Sequence, residues 1–172
     1  ETPLSAPAFT ELSDLSPGEL GRFARIWYNV SPERKRKVVQ RMVSLAEDNA
    51  ELDFSAILKL SLKDPDNTVR ESAITGLWEF EDRSLIRLLV GLLISDESMR
   101  VRAASAAALG KFAFLAQDGK ILSRDGQLVI DSLMKVLKSE DESLEVRRRA
   151  LESVATLNSP DVNEYIQWAY NS

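Results

Sequence analysis

The segment DPDNTVR at residues 64–70 returns as DESMRVR at 96–102 and as DESLEVR at 141–147. Each copy has an acid first, Val sixth and Arg seventh. Each continues with a small residue three positions after the Arg and an aliphatic four positions later: Ala73 and Leu77, Ser105 and Leu109, Ala150 and Val154. A pattern kept three times while the residues between it change is a repeated structural task. It restricts the chain to architectures built by stacking one unit on the next.

The flanking residues say which unit. Val69, Ala73 and Leu77 fall four apart, the spacing of one helical face. A second helix is expected to follow the first copy, opening at Asp82 or Arg83 and running through Ile94, with Leu85, Leu88, Leu89 and Leu92 inward. Helices are also expected at Met99–Ala116, Gln127–Lys138, Glu145–Leu157 and 160–170. Ser16-Pro17-Gly18-Glu19 combines a capping box with Pro at the first helical position, and Ser31-Pro32 opens another helix. Copies one and two lie 32 residues apart and copies two and three 45. Periods of this size with paired helices predict an all-α solenoid, a right-handed α-α superhelix of about four helix pairs.

The expected organisation is an N-terminal extension at 1–15 and one repeat domain at 16–172. That domain divides into an irregular first repeat (16–62) and repeats at 64–94, 96–138 and 141–172. In the first repeat, Arg36 stands near the repeated Arg, while Lys35 replaces the Val and Val30 the acid. The surplus of residues before the third copy is placed in a loop at 114–126, marked by Gly119 and Gly126.

On these three motif copies the sequence resembles the HEAT-repeat family, including its bacterial phycobilin-lyase-like repeats. The resemblance covers 64–157; residues 16–62 match it only in helix pattern. It implies a solenoid whose second helices line a concave surface that grips a protein. The polar residues expected to point outward there are Lys59, Arg83, Arg87, Asp131, Lys135 and Lys138, a net basic set that suits an acidic or extended peptide. The resemblance also raises two alternatives, a nucleic-acid-binding protein like the HEAT-like DNA glycosylases and a bilin-lyase-like protein.

Composition narrows the chemistry. The chain has neither Cys nor His, which removes disulfides, thiolate catalysis, every His-containing triad and the commonest metal ligands. The formal charge of −5 argues against nucleic acid as the partner of the whole chain. No apolar run is long enough to span a membrane. The expectation is a cytoplasmic protein, not an enzyme, with no cofactor and no metal. The first residues, ETPLSAPAFTEL, carry neither Met nor a signal-peptide pattern, so a trimmed chain is expected.

Three further residue sets stand out. Asp64/Arg70, Asp96/Arg102 and Asp141/Arg147 are read as a structural ladder, each Asp at a helix start and each Arg reaching an Asp in its own or an adjacent repeat. Arg34, Lys37 and Arg41 share one helix face and form a candidate basic patch in a region, 21–41, that holds seven Lys/Arg against one Glu. Tyr165, Ile166, Trp168 and Tyr170 make a poor solvent-facing end for a solenoid; they are a candidate end interface, for self-association through the C-terminal helix.

Overall fold

A computed structural model describes residues 6–155, 157 and 159–171, with side chains for 8–155, 157 and 159–167. The described residues form helices and no strand. They fall into two compact units, residues 1–80 and 81–172. The expected fold class, all-α with HEAT-like helix pairs, is found in each.

The first unit holds α1 (Ala6–Thr10), α2 (Pro17–Trp27), α3 (Pro32–Asp48), α4 (Ser55–Ser61) and α5 (Asn67–Gly76). Helix α2 begins where expected, with the Glu19 carboxylate accepting the Ser16 N–H at 3.0 Å. Its apolar side ends in Phe23 stacked on the buried Trp27. Helix α3 buries Val38, Val39 and Met42 and lies along α5, and α4 packs on α5 from the other helix of the pair. Gly76 makes that approach close, because a Cβ there would sit 2.7 Å from Val43 Cγ2 and 2.9 Å from Leu58 Cδ1. The segment before residue 16 is docked on this unit. Phe9 is buried edge-on to Phe54, Asp14 N–H donates to the Asp53 carbonyl at 2.7 Å, and Asp53 N–H donates to Ser13 Oγ at 2.8 Å.

The second unit holds α6 (Ser84–Ser95), α7 (Met99–Gln117), α8 (Ser123–Leu137), α9 (Leu144–Val154) and α10 (Pro160–Asn171). Helix α7 lies along α9 and contacts α6 and α8, while α8 also packs on α9 and α6. The buried stripe of α6 is Leu85, Ile86, Leu89 and Leu93. The expected Leu88 and Leu92 are half-exposed, since serving two neighbours rotates the buried stripe toward Ile86 and Leu93. Across both units, all nine motif positions at 69, 73, 77, 101, 105, 109, 146, 150 and 154 are buried.

The long loop expected at 114–126 is corrected: α7 continues to Gln117, α8 starts at Ser123, and only 118–122 connect them. Gly119 takes a φ of +67° just past the end of α7. Its N–H donates to the Ala116 carbonyl at 3.0 Å and that of Lys120 to the Leu115 carbonyl at 2.8 Å. This paired closure is the Schellman ending that a left-handed glycine permits. Gly126 is not a loop glycine. It sits inside α8, where a Cβ would come within 2.6 Å of Ala116 Cβ, so its job is close helix contact.

Candidate functional site

The repeated charges bind turns and neighbouring repeats. Arg70 Nη1 donates to the carbonyls of Asp64 (2.7 Å) and Pro65 (3.0 Å), and Arg102 Nη1 donates to those of Asp96 (2.8 Å) and Glu97 (3.2 Å). One edge of the guanidinium thus closes the turn before its own helix. The other edge forks to the next repeat. Arg102 Nε and Nη2 reach the two carboxylate oxygens of Glu142 at 2.9 and 2.8 Å. Arg36 uses the same edge on Asp66, with Nε 3.1 and 3.0 Å from its two oxygens. Arg147 instead donates to the Leu137 carbonyl (3.1 Å) and to Tyr165 Oη (3.3 Å).

The acids differ in place from the expected ladder. Asp64 and Asp96 do not N-cap the helices that follow them, whose N-caps are Asp66 and Ser98. Each accepts the N–H two residues on, from Asp66 (3.0 Å) and Ser98 (2.8 Å), in the Asx turn that leads into the cap. The cap of α5 is Asp66, whose Oδ1 accepts the N–H groups of Thr68 and Val69. Asp141 is exposed, and Glu142 beside it takes the fork from Arg102. The electrostatics follow the forks. The Arg36 hydrogen bonds hold the Asp66 carboxyl below its ordinary range, against the opposing pull of burial. Burial pushes Glu142 up, but hydrogen bonds from Arg102 and the Ser143 N–H outweigh it and leave the carboxyl lowered.

One pair was not legible as such in the sequence. Lys35, in the place of the repeat's Val, is buried, and its Nζ lies 2.9 Å from Asp64 Oδ2 and 5.5 Å above the Trp27 ring. The available signal was the misfit itself: a Lys at a core position needs a buried acid to meet it.

The other candidate residues divide between surfaces of the two units. In the first unit Lys37 and Arg41 are exposed along α3, Arg34 is half-buried in its first turn, and Lys59 is half-buried in the last turn of α4. In the second, Arg83 precedes α6 and its Nε reaches Asp125 Oδ2 in the first turn of α8 at 3.0 Å, while Arg87 is exposed on α6. Tyr165 is half-buried and turned back onto its own unit, its hydroxyl donating to the Leu137 carbonyl at 2.9 Å. Ile166 is half-buried as well. The side chains of Trp168 and Tyr170 lie outside the described residues.

Asp131, Lys135 and Lys138 come together. They flank an open groove of about 490 Å³ between α8 and the start of α10. Its apolar lining is the half-buried Ile130 and, one helical turn on, the largely buried Met134 of α8, with the buried Val162 of α10, and Asp161 also lines it. Asp131 accepts a hydrogen bond from the Gln127 amide at 2.7 Å. Chemically this arrangement can bury apolar side chains and oppose charge. It brings together no pairing of a nucleophile with a base, and among the described residues no three acids cluster to hold a metal ion.

Residues 54–124 match the family model for HEAT repeats. Over that stretch the chain carries HEAT repeats. These repeats generally mediate protein interactions and are typically not enzymes. No curated protein matches the chain. Among the described residues no helix is long and apolar enough to cross a membrane.

Proposed function

We propose that this HEAT-repeat chain is a non-catalytic scaffold that binds a segment of a protein partner along α8. The observation that carries the reading is the groove over Ile130, Met134 and Val162, which gathers three of the charged residues expected at a partner-binding face. An apolar floor edged by charge is how a peptide is held: the floor supplies affinity and the rim supplies orientation. The repeat charges support it from the other side. Arg36, Arg102 and Arg147 are engaged in holding turns and repeats together, so they serve the frame and leave recognition to other surfaces.

Panning a library of random twelve-residue peptides on the immobilised chain tests this. The expected result is a convergent set of sequences whose binding is lost in the Ile130→Glu chain. Enrichment no greater than on bare support, or binders indifferent to Ile130→Glu, overturns it.

A further inference from the structure

The charges around the α8–α10 groove are not equivalent. Asp131 is engaged by the Gln127 amide. Asp161 lies in the first turn of α10, where a carboxylate opposes the positive end of the helix. Each acid has an internal role. The lysines differ: Lys135 and Lys138 are both exposed, and neither forms an ion pair among the described residues. Lys135 lies in the last turn of α8 and Lys138 at its C-cap, where a cation suits the negative end of the helix, and at three residues apart the two also repel each other. With no ion pair of their own among the described residues, they are open to carboxylates from outside.

Size and floor restrict the occupant further. From Gln127 to Lys138 the lining stretch of α8 is about 16 Å long at ~1.5 Å per residue. That length takes about five residues of extended chain at ~3.3 Å each. The half-buried Ile130 offers an apolar seat, and the largely buried Met134 one turn on, a side chain that adapts to the shape placed on it, borders that seat. We infer that the groove takes a short acidic peptide, with an apolar side chain seated on Ile130 beside Met134 and carboxylates meeting Lys135 and Lys138. The inference rests on the scaffold reading above and names the partner's chemistry.

Three dye-labelled twelve-residue peptides are the probes. One carries two leucines among glutamates, one replaces the glutamates by lysines, and one replaces them by glutamines. Binding is read by anisotropy and by the methyl NMR signals of the three methionines, Met42, Met99 and Met134. Met42 is fully buried in the first unit and Met99 opens α7, so only Met134 reports on the groove. The glutamate peptide is expected to move the Met134 signal alone and to bind best. Its affinity should fall at least tenfold in a Lys135→Glu/Lys138→Glu chain at low salt, while the lysine peptide gains in the same chain. That swap separates charge recognition from damage to the fold. Equal binding of the glutamine peptide, or preference for the lysine peptide by the unaltered chain, overturns the acidic partner while leaving the groove. Binding with Met134 unmoved overturns the groove and leaves the scaffold reading standing. No binding by any of the three overturns the inference, and panning then decides the scaffold reading separately.

Discussion

Regularising the first repeat should damage it. The three full motif copies have Val at 69, 101 and 146, and the first repeat has Lys35. Lys35→Val restores the pattern and, by sequence logic alone, should stabilise. The structure argues the reverse. The side chains of Lys35 and Asp64 are 7% and 3% exposed and meet at 2.9 Å. Removing one partner of such a buried pair typically costs about 3–5 kcal/mol, because the remaining charge is stranded. A cation over an aromatic face, here Trp27, adds about 1 kcal/mol more to what is lost. The return is small. The lysine stem already covers apolar surface, so a valine gains under about 1 kcal/mol. Asp64 keeps one relief, the Asp66 N–H on Oδ1, which places the expected loss near 3 kcal/mol. Against a total stability of about 5–15 kcal/mol this is large. Urea unfolding followed by circular dichroism and tryptophan fluorescence should show the midpoint falling by about 1–3 M. Asp64→Asn alone should cost less, because a lysine left without a partner can extend toward water. Combined with Lys35→Val it should recover about 2 kcal/mol, since no buried charge remains. A Lys35→Val chain within about 0.5 kcal/mol of the parent, or no recovery in the double variant, would refute the reading that the buried Lys35–Asp64 contact holds the first unit together.

Gly126→Ala sets helix propensity against packing: alanine gains about 1 kcal/mol in a helix, but its Cβ would stand 2.6 Å from Ala116 Cβ, and overpacking costs about 1–3 kcal/mol. Thermal unfolding should show a net loss, largely restored by adding Ala116→Gly; a higher melting temperature for Gly126→Ala alone would show that α7 and α8 separate at little cost. Glu142→Gln should weaken the second unit by about 1–2 kcal/mol at neutral pH, since it removes the carboxylate that accepts two hydrogen bonds from Arg102. The Glu142 carboxyl is lowered on folding, so its contribution is complete above the ordinary glutamate range and is lost as the pH falls through the lowered value. The gap between parent and variant in denaturant titrations should therefore close on acidification, and a gap that stays constant to low pH would mean that the charge of Glu142 does not matter.

The helix pairs were legible because their signals are local. Val69, Ala73 and Leu77 name a face without reference to anything distant, and Ser16-Pro17 and Ser31-Pro32 mark starts by chemistry confined to one turn. What the sequence hid was pairing across repeats. Arg102 could have been matched with Asp141 on motif position alone, yet the fork goes to Glu142, whose longer side chain presents both oxygens while Asp141 is exposed. Gly126 was misplaced for a related reason. A glycine in sequence reads as a break, and only the partner helix, with Ala116 pressed against it, shows that it is a contact. The groove lay between these cases. Asp131, Lys135 and Lys138 were picked out as a polar face, but the part of α10 that makes the groove begins beyond a break at Ser159-Pro160, where no periodicity carries over.

The uneven repeat spacing follows from the same geometry. The forks join residues 30 apart in Arg36–Asp66 and 40 apart in Arg102–Glu142, so the distance along the chain is not what the ladder conserves. Between the second and third motif copies, set against the first and second, the extra residues lie mainly at the C-terminal end of α7, which runs for 19 residues against 10 in α5, and in α8, which runs for 15 against 12 in α6. That end of the helix pair is closed by the Schellman turn at Gly119 and the Gly126–Ala116 contact. The arginine works at the other end, where α7 begins and the turn before α9 arrives. A helix pair can therefore grow by whole turns at one end while the guanidinium at the other keeps its register, provided that the growth stays helical and both helices lengthen together. Here the longer α8 also carries Ile130 and the two lysines of the groove, so the insertion that disturbs the period is the one that builds its longer wall.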